Sequence, residues 1–519
     1  MYYYANKIIK ESLKMKLLKK SISIILCILT VFSCFALSAS AAASNKKRLP
    51  VVYISGYESL SIYFKDDPNK TMLFPANFDV IMSNLKNFGE YSKESLENKD
   101  PHIISNSIYS IFYDSLGMTA LKPDGITNAD DRITTETAEF GRDSDGRYYF
   151  EYDCRLSPID LAKQLHKFIK KVQKDSGSKR FELVGASYGT TVLMTYLNEY
   201  PEMHKYIDSV LISVPSYGGF SVMGEIYSGS FFVNHDTLTQ YAYVGLDNPD
   251  LGLFLSVLNK SGLLKILLEY MLLPALRAAL VDLSKDVIHD TIGTIPSIWT
   301  FVPADYFYAS LERIYGENYR DKDHEYAGLI SKLLYYHENI QQRLDVIYNT
   351  ARKNGIQMNI ICKYGRPPMP ISKKGSFMSD GAVDVTDVTL GAVASNYNET
   401  LPEDYKQVRY KKYDFVSLDR CIDASTGIHP LHTWYVRGLE HSVKNAGFEE
   451  LIDYILYENP NVFSNDKFPQ YTYATPDGGL APVVGVEEKH ETTLMQDVIA
   501  LTKRVFELAI TAVKDKLGK

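Results

Sequence analysis

The sequence predicts an α/β protein: a mostly parallel central sheet flanked by helices and carrying a large, mainly helical cap insertion. Three observations predict it. Short β-branched or apolar runs ending at glycine or proline recur along the chain. Two of them, at 147–153 and 181–184, are joined by an amphipathic helix, as a crossover between parallel strands requires. Between 216 and 354 the alternation stops and only helical patterning remains.

The chain of 519 residues, 45% hydrophobic and 23% charged, has an ordinary globular composition. One large α/β domain with insertions would use that length, as would two or three smaller domains. Residues 1–41 read as a signal peptide. Lys14, Lys16, Lys19 and Lys20 precede an apolar run at 22–37, and Ala39-Ser40-Ala41 suits a signal peptidase. Met15 opens a conventional start of such a segment by itself. The run is short for a bilayer, which favours removal over an uncleaved anchor, and Phe32-Ser33 is a poor approach to Cys34 for lipidation. The expected location is therefore secreted or at the cell surface.

These 41 residues hold six lysines and one glutamate, so their removal takes the formal charge from −7 to −12. Such a surface does not invite nucleic acid. Cys154, Cys362 and Cys421 remain, too few for a disulfide framework. One bridge plus a thiol, or three thiols, both fit.

The first part of the core spans 42–215. Its opening strand, at 49–58, ends at Gly56. Residues 58–146 lack strand alternation and read as an excursion above the sheet, with helical patches at 78–85 and 104–116. Arg147 to Asp153 reads as the next strand. Ser157-Pro158 then caps a helix with Leu161, Leu165, Phe168, Ile169 and Val172 on one face. The elbow strand at 181–184 completes a right-handed βαβ unit, and 207–215 supplies another buried strand. Residues 216–354 form the cap, including a nearly all-apolar helix at 263–273 stopped by Pro274; Lys265 and Glu269 share one of its faces. The core resumes over 355–470 with a strand at 358–364 and ends in a helix carrying Phe448, Leu451, Ile452 and Ile455. Residues 471–491, rich in Pro, Gly and Thr, read as a linker. The last segment, 492–519, forms an amphipathic helix with Leu494, Val498, Leu501, Val505 and Leu508, expected to pack back on the body.

The elbow strand runs into Gly185-Ala186-Ser187-Tyr188-Gly189, followed by a helix with Val192, Leu193, Tyr196 and Leu197 on one face. A bare Gly-x-Ser-x-Gly arises often by chance. Between a strand and a helix it reads as a nucleophile on a sharp turn, where only glycines fit around the serine. Serine needs an imidazole to take its proton and a carboxylate to orient that imidazole. Asp380, on a glycine-containing turn after the 358–364 strand, is the candidate acid, with Asp384 and Asp387 as alternatives. A solvated acidic turn describes the three better than a calcium loop. Four histidines follow: His429, His432, His441 and His490. His441 comes after the last strand run and before the final core helix, the position a base requires. Oxyanion donors would be the backbone N–H groups of Tyr57 and Tyr188. No dinucleotide fingerprint, P-loop or His-Glu-x-x-His motif appears, so neither a metal nor a cofactor is required.

In order, the strand ending at Gly56, Phe150 to Arg155, Gly185 to Gly189, Val214 to Gly219, Ser379-Asp380-Gly381-x-Val383 and the stretch from Thr433 to His441 resemble the lecithin:cholesterol acyltransferase family of α/β-hydrolases. The resemblance covers 50–457. It implies a lipase, phospholipase or acyltransferase acting on lipid esters through Ser187, Asp380 and His441, with a transient lipid interface and no obligate protein partner. Cys154 stands where the family has tryptophan, and Ala186-Ser187-Tyr188 where it has His-Ser-Met, which leaves acyl acceptor and head group open. Gly-x-Ser-Tyr-Gly is also similar to the elbow of prolyl aminopeptidases, the alternative enzyme. A non-catalytic, ligand-binding hydrolase relative is the alternative of another class.

Overall fold

The computed structural model describes residues 48–57, 59–73, 97, 116–136, 138–230, 233–268, 285–371, 377–410, 412–458, 460–464, 467–486 and 492–516. The expected leader, the helical patches at 78–85 and 104–115, the cap helix beyond residue 268 and His490 lie outside the described residues. Pro50–Lys519 forms one compact unit.

Its frame is an eight-stranded sheet: β1 (Val51–Ile54), β2 (Arg147–Phe150), β3 (Phe181–Ala186), β4 (Ile207–Ser213), β5 (Gln357–Tyr364), β6 (Thr433–Arg437), β7 (Tyr471–Ala474) and β8 (Leu480–Pro482). The order across the sheet is β2-β1-β3-β4-β5-β6-β7-β8. All neighbours run parallel except β7 and β8, which are antiparallel. Helices cover the parallel strands, so their sequences are apolar almost without alternation; β3 is buried at all six positions. The chain leaves β1 towards the β2 edge and returns to β3 on the other side. The rim between β1 and β3 is thus the topological switch point, where loops diverge and leave a crevice.

The crossover helix α1 (Pro158–Ser176) starts as its sequence dictates. Ser157 accepts a hydrogen bond from the Asp160 N–H, proline occupies the first helical position, and Gly177 closes the helix in the left-handed conformation. β1 lies between the two strands that α1 connects. The helix after the serine, α2 (Tyr188–Glu199), differs from the one-faced expectation: every residue from Tyr188 to Leu197 is buried. It packs on α1, β1 and β3 and, on another side, on α7 (Leu344–Lys353).

That last contact redraws the cap. α7 also packs on β5, and α6 (Ala327–Asn339) packs on α1. The final third of 216–354 therefore flanks the sheet, and its Leu329, Leu333, Leu344 and Tyr348 belong to the same apolar core as β1 and β3. Ahead of it lie α3 (Ser221–Ser228), α4 (Pro249–Lys260) and α5 (Ala304–Tyr315), with α3 against α5. The excursion contributes an antiparallel ribbon, Ile62–Phe64 with Ile133–Thr135. Arg155, only 1% exposed, pins this region: it forks onto Asp153 at 2.7 and 3.0 Å and reaches the Thr119 carbonyl and Asn128.

Two further expectations are corrected. The presumed linker 471–491 contains β7 and β8; their short length and prolines hid them, yet Pro482 is tolerated because β8 is an edge strand. The terminal helix α9 (Leu494–Lys516) docks on α4 through polar contacts, with Asp497 accepting from Ser256 and Lys260, and Arg504 forked onto Asp250. The Leu494, Val498, Val505 and Leu508 face expected to pack inward is exposed instead. Cys154, Cys362 and Cys421 are all buried and none is bridged, one of the two arrangements the sequence left open.

The tightest approach in the frame is at Gly189, where a Cβ would lie 2.2 Å from the Ile54 carbonyl oxygen and 2.5 Å from that of Ser55. Gly189→Ala should therefore destabilise the protein by at least ~3 kcal/mol, read from urea unfolding. Gly141→Ala, with nothing within 4 Å of the added carbon, should be nearly neutral.

Candidate active site

The site is built where β3 stops. Ser187 has φ 49° and ψ −123°, a conformation that non-glycine residues rarely adopt. The turn is held on three sides: the Ser187 N–H donates to the Ser213 carbonyl at 3.0 Å, while its carbonyl accepts from the Thr190 N–H at 2.9 Å and the Thr190 hydroxyl at 2.7 Å. Both glycines are required by close approach. A Cβ on Gly185 would meet the Gly189 carbonyl and Thr190 Cα at 3.0 Å, and Gly189 faces the β1 carbonyls. The overdetermined turn presents the hydroxyl at the sheet rim, at the start of α2, where partial positive charge favours an anion.

Ser187 Oγ lies 2.8 Å from His441 Nε2, and His441 Nδ1 lies 2.7 Å from Asp380 Oδ2. The structure thus joins the three expected residues in one hydrogen-bonded chain. Asp380 sits on the loop after β5 and is 1% exposed. Its other oxygen accepts from the N–H groups of Ala382 and Val383 at 3.0 and 2.9 Å. Burial alone would raise this carboxyl. The His441 ring and the two amides more than offset that cost, holding it below the ordinary carboxylate range and therefore ionised. The two loops also meet through backbone, with the His441 N–H donating to the Asp380 carbonyl at 3.0 Å.

The alternatives lie elsewhere. Asp384 Oδ2 accepts from the Ser221 hydroxyl at 2.8 Å, and Asp387 packs beside Gly218. His429 and His432 stack on each other at the start of β5, the opposite end from Asp380: His429 Nδ1 approaches the Met358 carbonyl, and His432 Nδ1 approaches Asn359. Burial and the neighbouring ring push His429 down to about 3, so it stays neutral. Among the described residues no group of three or more His, Cys, Asp or Glu could hold a metal.

The expected oxyanion loop adjoins the serine. A Cβ on Gly56 would stand 3.3 Å from Ser187 Cβ and 4.0 Å from its Oγ, so the peptide leading into Tyr57 runs directly beside the hydroxyl. The Tyr188 N–H is one of the unpaired donors of a helix first turn. Tyr152, which the sequence reading did not single out, fixes this loop by donating its hydroxyl to the Ser55 carbonyl at 2.6 Å. Around the opening stand aromatic rings. Phe220 stacks on Phe301 at 4.7 Å and lies 6.3 Å from the His441 ring, while Tyr57 packs edge-on against Phe301 and Tyr188. Phe220 follows the strained Val214, at φ 45°, on the loop after β4.

A cavity of ≈ 840 Å³ lies apart from this chain, lined by Tyr243, Lys260, Asp419, Arg437 and Asp497 among others and by none of the three. Two buried carboxylates lie on or against α3, the helix that begins after Phe220: Glu225 on the helix and Asp384, bonded to Ser221, are 1% and 7% exposed. No family model matches the chain, and no curated protein matches it.

Proposed function

We propose that the protein is a serine acyl hydrolase of α/β-hydrolase type, exported by its leader, that cleaves lipid or other apolar carboxylic esters or transfers their acyl groups. The observation that carries this reading is the hydrogen-bonded chain from a strained Ser187 through His441 to a buried Asp380. His441 Nε2 takes the proton of Ser187 Oγ as that oxygen attacks the ester carbonyl. Asp380 holds the ring in the tautomer that makes this possible and stabilises the imidazolium. The tetrahedral oxyanion is met by the N–H groups of Tyr57 and Tyr188. Collapse breaks the bond to the alcohol, which leaves with the proton from His441, and an acyl group remains on Ser187. Water or a second alcohol then attacks that acyl-enzyme with His441 as base. The wall of Phe220, Phe301 and Tyr57 offers apolar surface to an acyl chain, and the resemblance to acyltransferases of lipid esters points the same way.

A second reading has its own observation. Glu225 and Asp384 are buried carboxylates on or against α3, the helix that begins after Phe220, and a carboxylate is the kind of group that recognises a substrate's free amine in an aminopeptidase. Initial rates on a medium-chain acyl ester and on an aminoacyl arylamide decide: the ester should be cleaved faster, and faster arylamide cleavage would favour the peptidase.

Ser187→Ala should abolish ester cleavage and fluorophosphonate labelling while leaving the melting temperature nearly unchanged, because the hydroxyl contributes little packing. Retained turnover in that variant sinks the assignment, and absence of labelling in the parent protein would favour a binding relative. Asp380→Asn keeps the shape but inverts the hydrogen-bond demand on His441 Nδ1, so kcat should fall by about 10³- to 10⁴-fold.

A further inference from the structure

Beneath the histidine loop β5 carries a lysine where its neighbours are apolar. Lys363 is 1% exposed, between Cys362 and Tyr364, both fully buried. Its Nζ donates to three carbonyl oxygens of one short stretch: Glu440 at 2.9 Å, His441 at 2.9 Å and Val443 at 2.6 Å. The ring of Phe448 lies below, 4.6 Å from Nζ. A buried ammonium is retained only where donors and charge are satisfied, and here all three donor hydrogens are used, each on the loop that bears the base.

We infer that Lys363 is a positioning residue for His441, its ammonium wrapping the 440–443 carbonyls so that Nε2 is held at hydrogen-bond distance from Ser187 Oγ. The inference rests on the reading of Ser187 as nucleophile and His441 as its base. His441 is then fixed at three points: its N–H by the Asp380 carbonyl, its ring by the Asp380 carboxylate, and its own carbonyl by Lys363. Glu440 is additionally paired with Arg366, so the loop is anchored on both sides of the histidine. No other described lysine donates to three main-chain carbonyls of a single loop among the hydrogen bonds of the site.

The clamp depends on charge. Burial pulls the Lys363 ammonium down to about 8, against the pull of Asp380, Glu449 and Glu440 and with the like charge of Lys444 adding to the fall. Those four and His441 are the charged or titratable groups facing it from the Asp380 loop, the histidine loop and α8 (Ala446–Glu458). Burial lowers Lys444, but the Tyr53 hydroxyl and Glu449 outweigh it and leave it higher than usual; burial raises the Cys362 thiol well above its usual range. As pH rises through about 8, Lys363 loses a proton, and a neutral amine with two hydrogens cannot serve three carbonyls. The base loop loosens while Ser187 and the oxyanion donors stay in place.

The test is the pH dependence of kcat on a soluble ester and of fluorophosphonate labelling, from pH 6 to 10. In the parent protein both should fall through a midpoint near 8. Lys363→Met, which keeps the stem over Phe448 and removes the donors, should lower kcat by about 10- to 100-fold, leave KM within about twofold, and erase the alkaline fall. If Lys363→Met does not fold, the parent profile still decides: rates level to pH 10 overturn the inference. So does a folded Lys363→Met with unchanged kcat, or with reduced kcat and an unchanged alkaline limb. Failure of the serine-hydrolase reading is distinguishable, because the parent protein would then show neither Ser187-dependent turnover nor labelling.

Discussion

The place where α2 crosses β1 leaves no room for a side chain. Gly189 stands so close to the Ile54 and Ser55 carbonyls that a methyl group would overlap both, and the rest of the site is arranged around that contact. It fixes the distance between the β3 turn and the loop after β1, so the Gly56–Tyr57 peptide runs alongside the serine. It also keeps α2 deep enough to be buried on all sides, which requires the flanking helix α7 to cover what the sheet does not. Burial of Val192, Leu193, Met194, Tyr196 and Leu197 at roughly 1.5–3 kcal/mol each is what offsets the strain at Ser187, which costs about 1–3 kcal/mol. A strained serine is therefore a consequence of a well-packed helix rather than an exception to it.

Electrostatics at the site follows from the same depth. Asp380 is buried enough that an isolated carboxylate would be protonated, yet two backbone amides and the imidazole keep it charged. The aromatic hydroxyls nearby behave in the opposite way: burial raises Tyr57 and Tyr188 well above their ordinary range, so both stay neutral. Tyr57 shares a hydrogen bond with Ser297, and Tyr188 donates to the Leu156 carbonyl. Along the hydrogen-bonded chain from the serine the ionised group is Asp380, held on the His441 ring, and the surrounding phenols provide surface without competing for the proton.

Much of the fold and the site was legible because local chemistry decides it. Ser157-Pro158 can only begin a helix, a strand followed by Gly-x-Ser-x-Gly has little choice but a turn, and Asp380 follows a buried strand at the distance a sheet rim demands. What was not legible depended on partners far along the chain. β7 and β8 are four and three residues long, with Pro482 and a glycine pair at their turn; only pairing, of β7 with β6 and of β8 with β7, makes them strands. The face of α9 was misread because periodicity shows that two faces differ, not which one has partners. Here Asp497, 3% exposed, found Lys260 and Ser256, and the apolar side was left outward. Lys363 was visible as the one charge in a buried strand, but its three carbonyl partners lie some eighty residues on and leave no mark in composition.

The cap divides in a way that bears on specificity. Its later part, α6 and α7, is structurally sheet-flanking and cannot shift without opening the core that holds α2. Its earlier part supplies Phe220 just ahead of α3 and Phe301 just ahead of α5, and the Phe220 N–H donates to the Phe301 carbonyl at 2.8 Å. The two rings therefore stack as a single unit, continuous with the β4 loop on one side and, two residues along the chain, with Trp299 on the other. Gly219 permits this by meeting the Phe301–Pro303 backbone where a side chain would collide. Since Phe220 faces His441 and Phe301 faces Tyr57, the aromatic wall is attached to the part of the molecule that is packed on the sheet. On the proposed reading, any selectivity these rings set is a property of shape, independent of movement by the cap segments farther out.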